Sequence, residues 1–104
     1  MSINMNLVTL KLVTIIALDA LQHKIIKDIK DCGCKGYTIA EVEGEGIHSK
    51  HFTDWEGRNI KIETLVKEEV AVKIMETISA KYFDKYSIVA FISSVEVLRK
   101  EKFV

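Results

Sequence analysis

Two spacings of apolar residues alternate along the chain. From Leu10 to Ala17 nearly every residue is β-branched or leucine, and this continuous apolar character predicts a central strand covered on both faces. Leu21, Ile25, Ile29 and Cys32 then recur at helical spacing, with Ile26 widening the stripe and Gln22, Lys24, Lys27 and Asp28 on the water side. Asp19 is placed to cap this first helix, and Gly33 and Gly36 to end it with a turn. Tyr37 to Glu43 has strand composition, and Asn59 to Val66 alternates Ile60 and Ile62 with Lys61 and Glu63, as a strand with one buried face does. Between about Glu68 and Tyr82, Val70, Ile74 and Ile78 form a second helical stripe supported by Ala71 and Met75, with Lys73, Glu76 and Lys81 outside. Glu68 and Glu69 suit the positive end of that helix. Tyr86 to Ile92 is again nearly all apolar or aromatic and predicts a buried strand, followed by a short amphipathic tail around Val95, Val97 and Leu98.

Strand, helix, strand, strand, helix, strand is the order of a ferredoxin-like α+β fold (βαββαβ): a four-stranded antiparallel sheet with both helices on one face. The other face is left uncovered. Because the strands are apolar on both sides, a lone chain would expose an apolar patch on the order of several hundred Å², and sheet-to-sheet oligomerisation is the natural remedy. The fifteen residues from Gly44 to Arg58 carry three glycines and follow neither period. They are too many for a tight hairpin turn, which makes the segment a candidate functional loop.

The chain has 104 residues, 48% apolar and 29% charged with no proline, and this composition predicts a single compact domain over residues 1–104. Fifteen basic residues balance fifteen acidic ones, so no global field draws the protein toward nucleic acid. No window approaches the roughly 20 apolar residues of a membrane span, which argues against direct insertion. Met1 to Asn6 supplies no basic region ahead of the first apolar run, so the expected location is cytoplasmic, with Cys32 and Cys34 reduced.

Four stretches together resemble the PII-like signalling proteins, in particular the SbtB group that partners bicarbonate transporters. They are Lys11-Leu12-Val13; Gly36-Tyr37-Thr38; Gly44-Glu45-Gly46; and Ala80-Lys81-Tyr82-Phe83-Asp84-Lys85-Tyr86-Ser87 running through Ile92-Ser93-Ser94-Val95-Glu96-Val97-Leu98 to Lys102-Phe103. With Asn59-Ile60-Lys61 they span nearly the whole chain. The resemblance implies a homotrimer with its three sheets facing inward and an adenine nucleotide (AMP, cAMP or ADP) as effector in the cleft between neighbouring subunits. The segment 44–58 would be the T-loop, whose conformation the nucleotide sets and which engages a membrane transporter, leaving the protein at most peripheral to the membrane.

Carried over residue by residue, the resemblance places Thr38, Gly44, Glu45 and Gly46 beside the nucleotide, and Ile92, Ser93 and Ser94 on the far wall of the cleft. Glycines let backbone N–H groups approach a phosphate closely, and a threonine hydroxyl can hydrogen-bond a base or ribose. The SbtB-type arginines after the second glycine are missing: Ile47, His48, Ser49, Lys50 and His51 follow instead, leaving Lys50 and Arg58 as the candidate phosphate cations. The glycine- and lysine-rich segment with which true PII proteins hold ATP is also absent, which favours AMP or a cyclic nucleotide. In the loop, Phe52 and Trp55 are candidate partner anchors beside His48 and His51.

Cys32 and Cys34 with His48 and His51 supply soft-metal ligand types, and a trimeric divalent-metal protein resembling the CutA group is the alternative reading. Their spacing matches no zinc signature, and Cys32 falls on the apolar stripe of the first helix, as a small core residue would. Glu41, Glu43 and Glu45 share strand spacing and read as a solvated edge. No nucleophile paired with a base and no carboxylate pair in a cleft is visible, so no enzyme activity is expected.

Overall fold

The computed structural model describes residues 6–44 and 58–98. Strand β1 (Val8–Leu18) runs into a 3-10 turn (Asp19–Leu21) and helix α1 (Gln22–Asp31), followed by β2 (Thr38–Val42), β3 (Asn59–Val66), α2 (Glu68–Tyr82) and β4 (Val89–Val97). The strands form one antiparallel sheet in the order β2-β3-β1-β4, the ferredoxin-like α+β arrangement. β1 is central, as its unbroken apolar run requires.

Pairing fixes which side chains share a face. Val13, Ile15 and Ala17 lie opposite Thr64, Ile62 and Ile60 in register, and the apolar members of this layer join Ile25 and Ile29 of α1 and Ala71, Ile74 and Ile78 of α2 in one buried cluster. The alternate residues of β1 point the other way, where Leu12 and Ile16 are half-buried and lie outside the core cluster, while Leu18 at the strand end packs against it. On that open face β4 contributes Val89 and Phe91, 41% and 45% exposed. The bare apolar face expected from the element order is present only along β1 and β4, because β3 turns Asn59, Lys61 and Glu63 to the same side, where Glu63 Oε2 accepts from Thr14 Oγ1 at 3.3 Å.

The last strand corrects the sequence reading. It begins at Val89 instead of Tyr86, absorbs the expected tail through Val97, and forms a sheet edge with exposed Val89, Phe91 and Ile92. Apolar content alone does not distinguish a core strand from an edge strand facing outward. Asp19 is a second correction: it lies inside the 3-10 turn and makes no side-chain cap, while its N–H donates to the Arg58 carbonyl at 2.7 Å and extends the β1–β3 ladder by one step.

The C-terminus of α1 closes as expected, and its geometry is a Schellman motif. Gly33 N–H donates to Lys30 O at 3.0 Å and Cys34 N–H to Ile29 O at 3.1 Å, with Gly33 at φ +116°. A Cβ there would be strained by that φ and would also meet Val70 Cγ2 at 3.4 Å. The turn places Cys32 at the half-buried cap, where it packs against the core as expected, and buries Cys34 more deeply. Among the described residues no helix is long and apolar enough to cross a membrane.

Candidate functional site

The pairing of Val42 with Asn59 brings the end of β2 and the start of β3 together, so Gly44 and Arg58 stand at the root of the segment that joins them. Both are exposed. Arg58 Nη1 lies 3.5 Å from Glu41 Oε2, a long and solvent-screened pair that holds the guanidinium weakly and leaves its other donors free for an anion. Thr38 is exposed at the opposite end of β2, against Glu63, roughly 13 Å along the strand from Val42.

Ile92, Ser93 and Ser94 lie on β4, at the other edge of the sheet. Three strand spacings, roughly 14 Å, separate that edge from β2. Ser93 points to the open face with Leu12, while Ile92 and Ser94 share the helix-side face, and Ser94 Oγ accepts a hydrogen bond from Lys11 Nζ at 2.6 Å. One chain thus carries the expected site as two separate halves, one on each edge. Glu45, Gly46, His48, Lys50, His51, Phe52 and Trp55 lie outside the described residues.

The nitrogen regulatory protein P-II family matches residues 10–102, a span covering nearly all of β1 through β4 and the segment between β2 and β3. The chain belongs to the P-II family. Among solved structures, this P-II chain is 45% identical to a PII-like signaling protein of Thermus thermophilus, covering 96% of this chain and 100% of that one with a TM-score of 0.84. It is 30% identical to CPII of Thiomonas intermedia in a complex with ADP, AMP and acetate, covering 94% and 97% with a TM-score of 0.81. A second CPII complex, with ADP and bicarbonate, superposes with a TM-score of 0.82 at 28% identity over 96% and 99%.

In this P-II chain the two thiols do not converge on a common point. Cys32 Sγ lies 3.5 Å from Thr77 Oγ1, and Cys34 Sγ donates to Gly36 O at 3.5 Å. Among the described residues no group of three or more metal-ligating side chains comes together; His48 and His51 are outside them.

Sequence reasoning missed a buried polar cluster between the helices. Asp28, assigned above to the water side, is only 6% exposed; its Oδ1 accepts from Lys81 Nζ at 2.8 Å and its Oδ2 from Tyr82 OH at 2.5 Å. Burial, and next the bond to Asp28, push the Tyr82 phenol well above its usual range, so it stays protonated as a donor. The signal was Tyr82 itself: it follows Ile78 by one helical turn on the apolar stripe, and a buried phenol calls for an acceptor.

Proposed function

We propose that this P-II protein is an SbtB-type, non-enzymatic sensor that binds an adenine nucleotide at the seams of a homotrimer and signals through residues 44–58 as its T-loop. One copy supplies Thr38, Gly44, Glu45 and Gly46 with a cation from Lys50 or Arg58, and the adjacent copy supplies Ile92, Ser93 and Ser94. The observation that carries this reading is the division of the candidate site between the two sheet edges, on a sheet whose apolar face lacks a cover. Copies that bury that face against each other can set the β2 edge of one beside the β4 edge of the next. The ADP and AMP bound by CPII support an adenine nucleotide as the effector.

The nucleotide acts by population shift, favouring loop conformations in which its phosphate is met. The output is contact of His48, His51, Phe52 and Trp55 with a membrane transporter, a bicarbonate transporter being the candidate the SbtB likeness points to. The chain works as one domain, in the cytoplasm or peripheral to the membrane through that partner.

Calorimetry with AMP, cAMP, ADP and ATP tests the reading. At least one of them is expected to bind, and Arg58→Ala is expected to weaken that nucleotide about tenfold while leaving adenosine unchanged, as loss of one charge-assisted phosphate contact would. Absence of binding by all four at millimolar concentration overturns the sensing function.

A further inference from the structure

On the helix side of the molecule, away from the open sheet face, the surface between α1 and α2 carries a cavity of about 450 Å³ lined by Lys24, Lys27, Asp28, Lys81 and Tyr82. Three ammonium groups and one carboxylate face it, on a chain whose formal net charge is zero. The carboxylate is the buried Asp28, and both of its oxygens are taken, one by Lys81 and one by the Tyr82 hydroxyl. It therefore acts as a rigid floor that fixes Lys81 and offers an incoming cation no unused oxygen. Lys27 bonds Asp31 at 3.0 Å, and Lys24 has no carboxylate partner among the described residues.

An ammonium carries three N–H donors, and the bonds just named take one each from Lys27 and Lys81, so donors remain on all three lysines. The neighbouring cavity, of about 360 Å³, is lined by three carboxylates from Asp28, Asp31 and Glu76 against two ammoniums, and repels what the first one attracts. No exposed apolar side chain lines the first cavity, so nothing there would grip a purine ring.

We propose that this cavity is a second anion site that takes a compact phosphate-bearing ion of at least two negative charges. It is separate from the nucleotide cleft: Lys24, Lys27 and Lys81 belong to neither sheet edge, and the site stays in solvent when sheets pack face to face.

Amide spectra of the full-length protein titrated with pyrophosphate at low salt test the proposal. Saturable shifts are expected around residues 24–28 and 81–82, and they are expected to persist in the presence of saturating AMP. The Lys24→Gln/Lys27→Gln double variant is expected to weaken pyrophosphate about tenfold, whereas Lys67→Gln, on an exposed lysine at the start of α2, leaves it unchanged. The site is overturned if no saturable shift occurs at millimolar pyrophosphate, if the double variant binds as the wild type does, or if AMP displaces pyrophosphate. In that last case the ion belongs to the nucleotide cleft; a failure of AMP, cAMP, ADP and ATP alike to bind would count against the sensor reading and leave this site standing.

Discussion

Phe91→Asp is expected to run in light scattering at the 11.8 kDa of one chain, where the wild type is expected at three times that mass, and to lose nucleotide affinity by about a hundredfold or more. Phe91 lies opposite Thr14 on the open face and is 45% exposed in the single chain, so the new carboxylate meets water in the monomer and apolar surface in the assembly. Burying an unpaired charge against Leu12, Ile16 and Val89 of facing copies would cost several kcal/mol. An exposed edge position tolerates the change, and the fold of the separate chain should stay within about 1 kcal/mol of its starting stability. Nucleotide affinity is expected to fall because, in the proposed assembly, each of the two chains at a seam contributes only part of the binding groups. A variant that keeps both the wild-type mass and its nucleotide would remove the open face from the mechanism.

Tyr82→Phe and Asp28→Ala are each expected to lower unfolding free energy by about 2–4 kcal/mol, read as a drop in urea midpoint at unchanged slope. The first leaves a carboxylate that is 6% exposed with Lys81 alone to balance it; the second leaves a buried phenol without its acceptor. Because the two groups bond each other, the double variant should lose clearly less than the sum of the single losses. The pair also sets a pH dependence. Tyr82 has a raised pKa when folded, caused first by burial and then by the Asp28 bond, so the folded state retains a proton that the unfolded chain releases above about pH 10. Its contribution is fully present below that pH and declines as the pH rises further. Tyr82→Phe should flatten the alkaline loss of stability, and a Phe variant with the wild-type slope would contradict the assignment.

Much of this architecture could be read from spacing alone. Asn59–Val66 and Glu68–Tyr82 fold with the bounds their periods predict, because each buries a single face and its polar alternates report the other. β4 is harder to read, since its exposed side chains are as apolar as core ones: Val89, Phe91 and Ile92 look buried in sequence and lie exposed on the sheet edge. Asp28 was misplaced for the converse reason. A lone carboxylate beside a helical stripe reads as solvent-facing until α2 brings Tyr82 and Lys81 across to it, and that pairing spans more than fifty residues. Asp19 failed as a cap because its backbone was already committed to Arg58 by the strand ladder. Of the candidate nucleotide residues, Gly44 and Arg58 stand at the adjoining ends of β2 and β3, while Thr38 and Ile92–Ser94 sit apart because the sheet order, which local periodicity does not contain, puts β2 and β4 on opposite edges.

Native mass spectrometry of the wild-type protein with AMP, cAMP, ADP or ATP in turn measures assembly and ligand count in a single spectrum. Three-chain ions carrying up to three nucleotides, one for each seam, are expected, with single-chain ions that carry none. A nucleotide retained on a lone 11.8 kDa chain, or three-chain ions that stay bare with every nucleotide, would contradict a nucleotide site at the seams.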